Sequence, residues 1–390
     1  MTEETLNIFE RVAENDKSTA DVLEEVVQYF RNNKSPMELF EALKMRTRIQ
    51  LGLPLIRQEN EARRPEDIER QLEQGLLEAC RETGAMLIHL GRVGEGWMYL
   101  RPTGDIAAAK ELLSGIEINE ENYDDMIQVL LHEGVDIARG FQAVLDHQGT
   151  CNSITLYDQA IAGRSKQDRA AAASCLLNHF YDELSEMVRA DIANREAPAD
   201  PSENLYEMIE KRRWLLADGG YHLDTTHLAS TVKIASVLED PDQIKKAWEL
   251  TQYGRRLNHQ FQYPGEEPFV DFYPAYATYY SVLRGENVEA GLTVFQRKAR
   301  GLNTAEHGTA AMETYVDLLD RCGRHQEAIE TAVSMVPEEV PPQRIIPLLL
   351  EIAKKAEQDS GQNGYPPLLD YCKNRKDLLG FAAVLDASRS

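Results

Sequence analysis

Between His227 and Leu257 apolar and small residues recur at three- and four-residue spacing twice, once on each side of the breaker EDPD. Leu228, Val232, Ala235 and Leu238 line one predicted helix, and Ile244, Ala247, Trp248, Thr251 and Gly254 line the next. A stripe at the helical period has to be buried, and a short turn makes the neighbouring helix its first partner. The pattern returns from Asp271 to Arg297, turning at R-G-E-N. It returns again from Met312 to Val336, where Met312, Tyr315, Val316 and Leu319 oppose Ile329, Ala332, Val333 and Val336 across C-G-R-H. No run of alternating β-branched residues bounded by tight turns interrupts this, so the chain is predicted to be all-α.

Helix starts are written in capping chemistry. Ser18 with Asp21 three residues on forms one candidate cap. S-P-M-E forms the next, with Ser35 as cap, Pro36 in the first turn and Glu38 reaching back. The stretch ANREAPADPSEN (193–204) cannot continue a helix and marks a loop or hinge. The expected organisation is therefore an N-terminal helical subarray over 1–192, the 193–204 break, and a C-terminal subarray over 205–390.

These pairs resemble the tetratricopeptide-repeat (TPR-like) helical proteins. GRHQEAIE (Gly323 to Glu330) resembles the turn and second-helix start of that repeat, with Gly323 at the turn and Ala328 at the small position where helices touch. Ala235, Ala247 and Gly254 supply small positions in the His227 to Leu257 pair, Gly285 and Ala290 in the next, and Gly84, Gly91 and Gly96 near the amino terminus. The family repeats about every 34 residues, whereas Gly96, Gly140, Ala247, Ala290 and Ala328 are 44, 107, 43 and 38 residues apart, and Pro102 shortens the first unit's second helix. An internal echo fits an array: GFQAVLD (Gly140 to Asp146) returns as GFAAVLD (Gly380 to Asp386). The resemblance implies an α-solenoid of stacked antiparallel hairpins, and a scaffold or adaptor that binds a protein or peptide on its concave face.

A formal charge of -23 argues against an autonomous nucleic-acid binder, because phosphate contact needs clustered cations; it steers the surface towards basic partners instead. No apolar run approaches the roughly 18 residues that a membrane span requires. The acidic start MTEETLNIFERV lacks the pattern of a secretory signal. With five unpaired-looking cysteines, Cys80, Cys151, Cys175, Cys322 and Cys372, a cytoplasmic location is the expectation. No motif calls for a cofactor.

Two candidate sites emerge. FQYPGEEPFVDFYPAYATYY (261–280) holds eight of the 29 aromatic residues in 20 positions. The resemblance places Phe272, Tyr276 and Tyr279 towards the concave groove as partner-binding residues; the alternative is that they pack between helices. The Lys- and Asn-rich clamp for a free carboxyl terminus is not visible, since the matching positions include Ala229, Val232, Lys233 and Ser236. The second site is GGYHLDTTHLAS (219–230). His222, Asp224 and His227 have the chemistry of zinc, iron or manganese ligands and would suit an all-helical metal-dependent hydrolase or oxygen-using enzyme. The alternative is that Asp224 caps the helix that starts there. Elsewhere, His147 near Cys151 could suggest a base and thiol, but adjacency in sequence says little and the favoured reading is an inter-repeat loop whose Gly149, Thr150 and Asn152 cap the next helix; His132 with Glu133 is set aside because the second histidine of a zinc-protease motif is missing.

Overall fold

The computed structural model describes residues 3–13, 17–57, 64–302 and 304–389. Among these, helices are the only regular secondary structure, with no strand and a single isolated bridge between Pro264 and Asp271. No helix among the described residues is long and apolar enough to cross a membrane. The chain divides into two compact units, 1–149 and 150–390, so the 193–204 break lies inside the second.

The first unit holds α1 (Glu3–Val12), α2 (Thr19–Asn32), α3 (Pro36–Gln50), α4 (Glu66–His89), α5 (Val93–Leu100), α6 (Ile106–Ser114) and α7 (Tyr123–Ile127). The last helix to start in it, α8 (Ile137–Leu156), breaks at Gly149 (φ 76, ψ 177), which is where the units divide. Ser18 and Asp21 form the expected capping box on α2. Ser35 precedes α3 without a side-chain cap; Pro36, fixed near helical φ and lacking a donor, starts that helix. Val27, Leu39, Leu43 and Ala79 form one core cluster, and Ile88, Val93, Trp97, Leu113, Met126 and Leu130 another. Where α4 crosses α5, a Cβ on Gly96 would stand 2.9 Å from the Gly84 carbonyl oxygen and 3.1 Å from the Ile88 nitrogen, so backbone meets backbone there. Pro102 does end α5 early, in a short 3-10 turn over Arg101–Thr103.

The second unit opens on α9 (Lys166–Arg195), capped by Ser165. The break that follows is pinned rather than loose: the Arg189 guanidinium donates to the carbonyls of Asp200, at 3.0 Å, and of Glu203. An Asn204–Glu207 capping box then starts α10 (Leu205–Lys211). Next come α11 (Thr225–Ile234) with its 3-10 extension Ala235–Val237, α12 (Pro241–Gly254), α13 (Phe272–Leu283), α14 (Val288–Gly301), α15 (Thr304–His307), α16 (Ala310–Arg321), α17 (His325–Met335), α18 (Pro342–Ser360), α19 (Tyr365–Asn374) and α20 (Leu378–Ala387). All three expected pairs are present: α11 packs on α12, α13 on α14, and α16 on α17. Gly285 (φ 77) and Gly323 (φ 74) make the latter two turns in the left-handed region, which costs glycine nothing.

The small positions hold with one correction. Ala235, Ala247 and Ala328 are buried, and a Cβ on Gly254 would meet the Tyr273 ring at 2.3 Å. Ala290, however, is exposed, and the close approach belongs to Gly291, where a Cβ would lie 2.2 Å from Val282 Cγ2. The left-handed Asn287 before α14 sets the helix phase, so the residue that meets α13 is one place later than the resemblance suggested.

Candidate functional site

The aromatic segment is the interior of the second unit. Phe272, Tyr276 and Tyr279 are only 5, 5 and 4% exposed, so the expectation that they face a partner is corrected: they pack between helices. Phe269 stacks on Tyr276 with ring centroids 3.9 Å apart, and Tyr279 meets both Phe269 and Phe295 edge-on. Edge-on and offset contacts of this kind suit the ring quadrupoles. Burial raises the Tyr276 and Tyr279 hydroxyls above their ordinary range, and the nearby Asp317 carboxylate adds to this at Tyr279.

Tyr279 nonetheless reaches a cavity with its hydroxyl. It donates to Asp317 Oδ2 at 2.9 Å and stands 3.3 Å from the Ser236 carbonyl oxygen. Arg321, with a side chain 7% exposed, reaches the same place from the end of α16. Its guanidinium donates at 2.8 Å to the Ser236 carbonyl and to the Tyr279 oxygen, and also to the Leu238 carbonyl. Burial works against that cation, but Tyr279, Asp317 and Glu239 outweigh it and raise its pKa. A buried guanidinium is held this way when every fork has an acceptor.

Beside Arg321 lies a second polar cluster. His325, at the start of α17, places Nδ1 2.8 Å from Asp320 Oδ1 and Nε2 3.1 Å from Asp359 Oδ2. Lys355 of α18 donates to Asp320 Oδ2 at 2.6 Å. Burial opposes the Lys355 charge, but the hydrogen bond and charge of Asp320 prevail and raise its pKa.

Tyr279, Asp317, Asp320, Arg321 and Lys355 help to wall a cavity of about 700 Å³ within the second unit, whereas His325 and Asp359 line a separate, smaller pocket. The walls come from several different elements. Arg169 stands in the first turn of α9, Ser236 on the 3-10 extension of α11, Tyr279 on α13, and Asp317 and Arg321 on α16. From α18 come Arg344, Leu348, Glu351 and Lys355, whose 4-3-4 spacing is one helix face; Ile345, Ile346, Leu349 and Ile352 stay buried beside it. Of these residues Tyr279 was named from the sequence as a groove residue, and Ser236 as a position matching the groove's carboxylate clamp. The α18 stripe was visible as a polar face next to an apolar one, but Arg169 and Arg321 had no local signal, because their neighbours in space lie far off in the chain.

The second candidate resolves into a cap and a buried histidine. Asp224 Oδ1 accepts from the Thr226 and His227 backbone N–H groups at 2.8 and 3.1 Å, and from the Thr226 hydroxyl. The Thr226 hydroxyl and these amides hold its carboxyl below the usual range. His222 turns instead to Tyr253: the His222 backbone N–H donates to the Tyr253 oxygen at 2.9 Å, and His222 Nδ1 lies 2.9 Å from it, placed to accept the phenolic proton. Its Nε2 faces Asp191 Oδ2 at 3.5 Å. Burial pushes the imidazole pKa down, against the pull of Asp191. His222, Asp224 and His227 are thus not gathered around one point, and among the described residues no group of three or more His, Cys, Asp and Glu side chains is spaced to hold a metal ion. His147 packs on Tyr123 with the rings tilted by 38° and their centroids 4.4 Å apart, and Cys151 is an exposed free thiol.

No protein-family model matches this chain, and no curated protein does.

Proposed function

We propose that the second unit is a peptide-binding module, a TPR-like array in which the first helix of each successive pair turns a polar stripe towards a common cleft. The single observation that carries this is the 700 Å³ cavity, walled in turn by the 3-10 extension of α11, α13, α16 and α18. Support for the array comes from packing beyond the pairs, since α14 meets α16, α17 meets α19, and α18 meets α20. A stacked array presents an extended surface by construction, and mixed hydrogen-bonding and apolar walls suit an extended segment of a protein partner. The binding surface in this reading is the charged stripe, with the tyrosines of 272–280 acting as the packed floor beneath it.

Selection from a displayed random-peptide library against the full-length chain tests the reading. Leu348 and Thr314 line the cleft without carrying its ionic network, so Leu348→Trp and Thr314→Trp should fill it and leave the circular dichroism unchanged. Selected peptides should bind each variant at least about tenfold more weakly, a loss of about 1.4 kcal/mol. Selection that enriches nothing, or enriches peptides indifferent to both substitutions, refutes the cleft as the binding site.

A further inference from the structure

Within that peptide-binding reading, on which this step rests, we infer that the cleft takes an acidic segment, seating a side-chain carboxylate of the partner against Arg169 and Arg344. The cations of the cavity differ in one respect. Lys166 is paired with Glu239, Lys355 with Asp320, and Arg321 with two carbonyls, Tyr279 and Asp317. Arg169, which is half-buried, and Arg344, which is exposed at the cavity's edge, line the same cavity; neither side chain has a hydrogen-bond or ion-pair partner among the described residues, and of their donors Arg169 Nε is the one shut off from solvent.

Arg169 is the more telling of the two. Its Nε is buried with no acceptor, an arrangement that folded proteins avoid because the donor has lost its water and gained nothing. Its position also opposes the helix: it stands in the first turn of α9, where the positive end of the macrodipole disfavours a cation. Arg169 lies close enough to Tyr157 to act on its hydroxyl, but that contact gives Nε no acceptor, whereas an oxyanion in the cavity would supply one. A guanidinium matches a carboxylate or phosphate with two parallel N–H donors. Glu313, Asp317, Asp320 and Glu351 face the same space, and they repel a phosphate dianion more than a single carboxylate. That favours Glu or Asp side chains as the source. The overall charge of -23 opposes such a partner only at long range, since salt screens it beyond about 8 Å at physiological ionic strength.

The test uses fluorescein-labelled peptides, acetylated and amidated so that no free terminus takes part, carrying four Glu, four Gln, four Lys or four phosphoserine residues between Gly and Ser spacers. Anisotropy is read on the full chain. The Glu peptide should bind, weaken with salt, and lose about tenfold in Kd with either Arg169→Gln or Arg344→Gln. Lys354→Gln removes the same charge from an exposed residue of α18 that is not part of the cavity wall, and should change Kd less than twofold. Tighter binding of the phosphoserine peptide overturns the carboxylate assignment. Binding of the Lys peptide, weakened by Glu351→Gln, overturns the inference and leaves the peptide-binding reading standing. Equal loss with Lys354→Gln reduces the effect to net charge and overturns it too. Failure of every peptide, here and in the library selection, removes both.

Discussion

Replacing Arg321 with methionine isolates what the buried guanidinium does for the second unit. Methionine keeps the unbranched stem and its packing but withdraws every donor. The Tyr279 hydroxyl has a single proton, given to Asp317, so the Ser236 carbonyl loses its donor, but it lines the cavity and water there replaces the lost bond. The Leu238 carbonyl has no other partner among the described residues and is stranded, which costs about 1–3 kcal/mol for a buried acceptor. The charge-assisted bond to the Tyr279 oxygen, worth about 1.5–3 kcal/mol, also disappears. Asp317 loses a cation only 3.6 Å away, but with 42% of its side chain exposed this adds little. Against these losses stands the relief of no longer holding a charge out of water, so the net expectation is about 3 kcal/mol. Urea unfolding followed by circular dichroism should show the second unit's transition shifted by that amount. Hydrogen exchange read by mass spectrometry should show the 235–238, α13 and α16 peptides opening about a hundredfold more often, and peptides of the first unit unchanged. A shift below about 0.5 kcal/mol, with the Leu238 segment as protected as before, would refute the reasoning that this arginine ties three elements together.

Gly291→Ala should cost about 1–3 kcal/mol, because its methyl would lie 2.2 Å from Val282 Cγ2; Val282→Ala in the same chain should recover most of that, as read by thermal unfolding. Asp224→Ala should cost about 1 kcal/mol as a lost helix cap, with Asp224→Ser recovering most of it, which a metal ligand would not allow. His222 is held below its ordinary value of 6.5 by burial, so the unfolded chain takes up its proton first as the pH falls. Stability from this group is therefore present above about pH 6.5 and is lost below it, until the lower folded pKa is reached, with a slope of at most about 1.4 kcal/mol per pH unit. Urea titrations between pH 5 and 7.5 should show that slope in the wild type and a flatter one in His222→Gln; identical slopes would mean that the buried imidazole is not the titrating group.

The helices, the three pairs, most of the turns and the capping box at Ser18 follow from local rules, because period, capping chemistry and left-handed glycines act within a few residues of themselves. The same locality explains why Asp224 was legible as a cap: its partners are two and three residues away. The aromatic cluster at 261–280 was legible as unusual, but its orientation was not, since Phe269 and Phe295 determine whether Tyr276 and Tyr279 face inward. The shift from Ala290 to Gly291 likewise depended on the angle at which α14 leaves Asn287. The cleft belongs wholly to the tertiary level. Arg169, Ser236, Tyr279, Arg321 and Arg344 are spread over more than 170 positions, and only stacked helices bring them to one cavity. Sequence determined which faces had to be buried, since apolar periodicity is a property of a single helix; the packing of those helices decided which polar faces meet, because that depends on crossing angles no single helix encodes.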